Sequence, residues 1–122
     1  MKSDPKECLY CQNNETLHNL MIEIAQLSVS RVFLFKEQTY RGRCLVAYKD
    51  HVNDLNELSD EDRNAFMADV ARVTRAMQKA FQPEKINYGA YSDKLSHLHF
   101  HLAPKYVCLL YTSPSPRDRS LS

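Results

Sequence analysis

An α+β fold, in which one long helix packs on a face of a mostly antiparallel sheet, is what this 122-residue chain predicts. Three observations carry the expectation. Short runs rich in β-branched and aromatic residues recur along the chain. One stretch between them, residues 59–83, has apolar residues at helical spacing instead. Turn-like segments join neighbouring runs, and no internal repeat interrupts the pattern.

The elements follow in order. "MIEIAQLS" (21–28) reads as a strand, although Leu17, Leu20, Met21 and Ile24 also fit a 3.6-residue period, so a helix there stays open. "SRVFLFKE" (30–37) and "RCLVAYK" (43–49) are strands, with "QTYRG" as the hairpin turn between them. The helix is the clearest element. Ser59 suits its N-cap, Glu61 and Asp62 place negative charge in its first turn, and Pro83 stops it. Phe66, Val70, Val73, Met77 and Phe81 form its apolar stripe, which is core. "INYGAYS" (86–92) and "HLHFHLA" (97–103) supply two more strands, with Asp93 and Lys94 in the turn.

Composition narrows the function. The length suits one domain with a modest core, and the 43% hydrophobic and 25% charged content is ordinary for a globular chain. A formal charge of +1 gives no basic field for nucleic acid. No apolar run is long enough to span a membrane, and "MKSDPKECLYC" is too polar for a secretory signal. Four cysteines without such a signal favour a reducing compartment, so a cytoplasmic location is expected. The domain is taken as residues 1–107. Residues 108–122 differ in kind: "CLLYTSPSPRD" (108–118) reads as translated sequencing-adaptor DNA, which would make this tail non-native and cut the natural frame near Val107.

Three of the five histidines, His97, His99 and His101, occupy alternate positions of "SHLHFHLAPKY". On a strand they share one face, while Leu98, Phe100 and Leu102 take the other. A half-exposed strand usually carries Lys, Glu or Thr on its polar side, so imidazoles point to metal binding or to proton and phosphoryl chemistry near neutral pH. A single catalytic ion held by all three fits poorly, because alternate strand residues lie roughly 6.5–7 Å apart. "CLYC" places Cys8 and Cys11 in a Cys-x-x-Cys, which by itself reads as a redox pair, half a metal site or chance. Cys44 reads as a small core residue and His18 as a surface or packing residue.

"HLHFHLAP" resembles the motif of the histidine-triad (HIT) nucleotide hydrolases and transferases, His-x-His-x-His-x-x with apolar x. "GRCLVAYKDHVNDLNELSDED" is similar to that family's strand, Lys-x-His turn and helix start, and "NYG" to its Asn-x-Gly loop, so the likeness spans about residues 8–106. The resemblance implies hydrolysis at the α-phosphate of nucleotide conjugates, such as dinucleoside polyphosphates or nucleoside phosphoramidates, through a nucleotidyl-histidine intermediate. His99, central in the triad, would be the nucleophile, and His101 would supply hydrogen bonds or a proton. Asn87 and, in a loop one residue shorter than the family's common form, Ser92, Lys94 or Ser96 would contact phosphate. The resemblance also implies a structural zinc held by Cys8, Cys11, His51 and His97, and a homodimer, which no pattern in the chain itself marks. The partner is a small-molecule nucleotide, with no nucleic acid and no membrane.

Two departures from the family bear on mechanism. Where many relatives carry a further histidine before the "LV" strand, this chain has Arg43, which can bind phosphate but stays charged and carries no proton. The acidic residue that would hold the ribose has only Glu37 as a candidate. Nucleotidyl transfer to a phosphorylated acceptor, and a non-catalytic nucleotide-binding scaffold, are the alternatives to hydrolysis.

Overall fold

The computed structural model describes residues 8–12, 15–91 and 97–106. Two short helices, α1 (Leu9–Gln12) and α2 (Glu15–Leu20), precede strands β1 (Met21–Gln26), β2 (Ser30–Phe35) and β3 (Cys44–Tyr48). A 3-10 turn (Leu55–Glu57) leads into the long helix α3 (Asp60–Phe81), followed by β4 (Lys85–Gly89) and β5 (His99–Lys105). The sheet order is β1-β2-β3-β5-β4, and every neighbouring pair is antiparallel. The expected fold class is therefore observed. The helix-or-strand ambiguity near residue 20 resolves into both: Leu17 and Leu20 end α2, and Met21 begins β1.

Helix α3 starts where Ser59 Oγ accepts from the backbone N–H of Asp62 at 3.1 Å, with Asp60, Glu61 and Asp62 against the positive end of the helix dipole. It ends at Gln82, whose left-handed backbone (φ 52°) closes the last turn, and Pro83 prevents its continuation. Phe66, Val70, Val73 and Met77 pack against Val32, Cys44, Val46, Tyr48 and Leu102 from one face of the sheet. Each such side chain gains about 1.5–3 kcal/mol from burial, so this face holds the helix in place. Gly42, at φ +85°, lets the β2–β3 connection press on Phe81, because a Cβ there would lie 2.7 Å from that ring.

The opposite face is not solvent. Cys8, Tyr10, Leu17 and Met21 from the N-terminal segment bury Phe33, Leu45 and Ala47 in a second core. In β5, His99 pairs with Ala47 and His101 with Leu45, so strand alternation sends both imidazoles into this second layer. His97 and His99 are only 2% and 3% exposed. Asp69 pins α3 to the β1–β2 turn from the far side, accepting from Ser28 Oγ, Val29 N–H and Ser30 Oγ at 2.8–2.9 Å.

Candidate active site and metal cluster

Two histidine rings meet on β5. The His99 and His101 ring centroids are 5.0 Å apart, at an interplanar angle of 79°. His99 Nδ1 lies 2.6 Å from the carbonyl oxygen of His97. A carbonyl only accepts, so Nδ1 carries the proton and, in the neutral ring, Nε2 keeps the lone pair. Burial depresses the basicity of His99, while hydrogen bonds to the backbone of His97 and Tyr91 oppose it. The net effect keeps the ring neutral near pH 7, the form that a nucleophile requires.

His101 stacks on Phe35, with centroids 5.6 Å apart and planes within 14°. The Arg43 guanidinium carbon lies 4.2 Å from the centroid of the same Phe35 ring. Burial first, then His99 and Arg43, push the His101 pKa down to about 4. Its Nδ1 is buried and has no hydrogen-bond partner among the described residues. A buried polar atom left unpaired costs roughly 1–3 kcal/mol, which a ligand oxygen or water would offset.

A cleft of about 400 Å³ opens beside His101, lined also by Arg43, Asn87, Gly89, Tyr40 and Tyr91. Antiparallel pairing of β4 with β5 explains the grouping, since Gly89 lies opposite His101 and Asn87 opposite Ala103. Arg43 and Asn87, expected from the sequence at the phosphate, thus join His101 in one concavity. Glu37 reaches Arg43 at 3.7 Å as a mostly exposed ion pair. Ser92, Lys94 and Ser96 lie outside the described residues, as does the 108–122 tail.

A second cluster forms where the N-terminal segment meets the start of the triad. Cys8, Cys11, His51 and His97 offer four ligand atoms that all lie within 4.8 Å of one another. Cys8 Sγ and Cys11 Sγ are 3.2 and 3.5 Å from His97 Nδ1, and Cys11 Sγ is 3.3 Å from His51 Nδ1. A zinc tetrahedron with Zn–S near ~2.3 Å and Zn–N near ~2.0–2.1 Å has S···N edges of ~3.5 Å, so two thiolates and two imidazoles at these spacings fit such an ion. His97 Nε2 donates to the carbonyl oxygen of Tyr48 at 2.7 Å, which leaves Nδ1 as the basic nitrogen facing the sulfurs. The ring itself stands in a bend just before β5. Burial first, then the neighbouring Cys8, pushes the Cys11 thiol up to about 11, so binding a cation there would release a proton.

The sequence pattern did not single out Tyr10, Phe35 or Arg31. Tyr10 lies between the cysteines and its ring contacts Phe33, His97 and His99. Aromatic residues one position inside a Cys-x-x-Cys and at the end of a strand were the available signals, but both read equally well as core.

An antiparallel sheet with one long helix, and three alternate histidines at the start of its strand β5, define the class, and comparison with known proteins agrees. The HIT domain model matches residues 14–107, and the chain belongs to the HIT family. Adenosine 5'-monophosphoramidase hnt1 of Schizosaccharomyces pombe is 32% identical over 89 residues, covering 69% of this chain and 64% of that protein. Protein hit of Bacillus subtilis is 28% identical over 79 residues, 61% of this chain and 54% of that protein. The matched stretch therefore spans less than two thirds of either relative's length. Among solved structures, a histidine triad protein from Bradyrhizobium japonicum has a TM-score of 0.69 at 20% identity, covering 84% of this chain and 81% of that one. A HIT family member from Bacillus subtilis gives 0.69 at 20% identity, covering 94% and 91%. These likenesses establish the fold. Among the described residues no helix is long and apolar enough to cross a membrane.

Proposed function

We propose that this protein hydrolyses nucleotide conjugates at the α-phosphate, with His99 as the nucleophile. The observation that carries the reading is the 2.6 Å contact of His99 Nδ1 with the His97 carbonyl, which assigns the proton to Nδ1 and, in the neutral ring, the lone pair to Nε2. Nε2 attacks phosphorus, the bond from phosphorus to the leaving group breaks, and a nucleotidyl-imidazole forms. Water then attacks the same phosphorus, the N–P bond breaks, and nucleoside monophosphate departs with the neutral ring restored. The phosphoramidase name of the fission-yeast relative supports a hydrolytic reaction on a nucleotide conjugate.

Other residues take roles by placement. His101, next to His99 and in the cleft, hydrogen-bonds a phosphoryl oxygen, and Asn87 does so from β4. Arg43 supplies fixed positive charge to the departing group, acting electrostatically and not as a proton donor. Ser92, Lys94 and Ser96 are the proposed loop contacts.

The ion proposed for the Cys8, Cys11, His51 and His97 cluster is a structural zinc, which closes all four coordination positions and ties the N-terminal segment to the strand of His99. A homodimer in the cytoplasm, acting on a small nucleotide and on neither nucleic acid nor membrane, is the proposed setting. The deciding experiment offers adenosine monophosphoramidate and a dinucleoside polyphosphate to the purified protein and follows release of AMP. Binding of both without turnover would favour the scaffold reading; transfer to added phosphorylated acceptors would favour the transferase.

A further inference from the structure

The side chain between the two cysteines points away from solvent and into the layer that holds the triad. Tyr10 is 3% exposed, and its ring centroid lies 5.4 Å from that of His97 and 5.6 Å from that of His99. It touches one histidine of the metal cluster and one of the active site at once. Phe33 backs it at 5.9 Å. The backbone of Tyr10 is fixed separately: Arg31 Nη1 donates to its carbonyl oxygen at 2.9 Å. Arg31 is itself oriented by Glu23, through Nε at 3.2 Å and Nη2 at 3.1 Å, and its guanidinium lies over Phe33 at 4.9 Å. The α1 segment thus has an anchor on β2 as well as its cysteines.

We infer that Tyr10 is a positioning residue for His99: its ring forms the wall that holds the attacking imidazole at one angle, so the Cys-x-x-Cys segment serves the reaction centre as well as the metal cluster. The physical ground is steric. His99 Nδ1–H donates to the His97 carbonyl, which fixes the tautomer, and the ring also bonds the Tyr91 backbone; these contacts lie at the ring's edge and leave its plane free to tilt about them. A planar neighbour packed beside the ring removes that freedom without adding a charge or a competing proton. Cys8 and Cys11 set where the wall stands, and Arg31 keeps it there.

The kinetic part of this inference rests on the proposed role of His99, and the ring-order part does not. The test uses the full chain loaded with zinc, histidine-labelled for ring NMR, as wild type, Tyr10→Phe and Tyr10→Ala. Tyr10→Phe is expected to keep the His99 ring signals and a kcat within about twofold, because the wall is the ring and not the hydroxyl. Tyr10→Ala is expected to keep its zinc, broaden or split the His99 signals, and lose about 10–100-fold in kcat with little change in KM, as misaimed groups do. Wild-type His99 signals in Tyr10→Ala, or a kcat loss that tracks zinc loss, would overturn the inference and leave Tyr10 as packing for α1. If Tyr10→Ala does not fold, Tyr10→Leu keeps the bulk without the plane and is read the same way. A wild-type protein with no turnover would count against the nucleotidyl reading alone, since the His99 signals still decide the role of Tyr10.

Discussion

Arg43 rests on Phe35, its guanidinium carbon 4.2 Å above the ring centroid, and the same ring stacks on His101. A permanent cation therefore stands beside His101, and together with burial it keeps that imidazole neutral. In its proposed role Arg43 supplies a charge-assisted contact worth about 1.5–3 kcal/mol to a bound phosphate. Arg43→Ala is expected to raise KM for a dinucleoside polyphosphate by about 10–100-fold. Steady-state kinetics check it, and an unchanged KM would remove Arg43 from the substrate.

His99→Ala should abolish AMP release, by about 10³-fold or more, while nucleotide still binds. Titration calorimetry and a turnover assay on the same preparation separate the two. Turnover surviving the change would exclude the nucleotidyl-histidine route.

The four-ligand cluster predicts about one equivalent of zinc per chain by elemental analysis, and its loss in Cys8→Ser or His97→Ala. Binding to the folded state alone stabilises it, so a strong chelator should lower Tm. Less than half an equivalent, with Cys8→Ser behaving as wild type, would remove the metal from the account.

Acid should weaken the fold through the triad. His101 titrates near 6.5 when unfolded and near 4 when folded, and His97 and His99 are shifted in the same direction by burial. The unfolded chain therefore binds more protons between those values, so this contribution is whole above about pH 6.5 and lost as pH falls toward 4. Urea midpoints across that range should decline, and His101→Gln should flatten the slope. An acid limb in kcat/KM for wild type should likewise lie below pH 6.5, because the nucleophile stays neutral down to there.

Asp69 is fully buried and accepts from two hydroxyls and one backbone N–H of the β1–β2 turn. Asp69→Ala strands all three donors and should cost about 2–4 kcal/mol, read from chemical unfolding, without changing the metal content. A loss below about 0.5 kcal/mol would mean that the turn finds other partners.

The sequence showed most plainly what local chemistry decides. Helix α3 was legible because Ser59, the acidic first turn, the Phe66-to-Phe81 stripe and Pro83 all act within a few residues of one another. The triad was legible because histidines are rare at alternate strand positions, whereas the Cys/Cys/His/His set came only with the family resemblance. Strand ends were less so: β4 stops at Gly89, short of the expected Ser92, and β5 begins at His99 instead of His97. Pairing with a neighbour, not propensity, sets those limits. The second core was hidden altogether. Nothing local tells that Tyr10 lies against His99, 89 positions away, or that Arg31 seizes its carbonyl, since both depend on how the N-terminal segment lies across the sheet.

Strand β5 follows β4 in the chain, yet it sits between β4 and β3. Before residues 99–105 take that slot, β3 and β4 share no ladder, and neither the cleft nor the metal cluster has a wall in common with the other. The β3–β5 ladder joins segments distant along the polypeptide, Cys44 opposite Leu102, and pairing of that kind is slow. Without that strand, β3 would present an open edge and β4 would have no partner in the sheet.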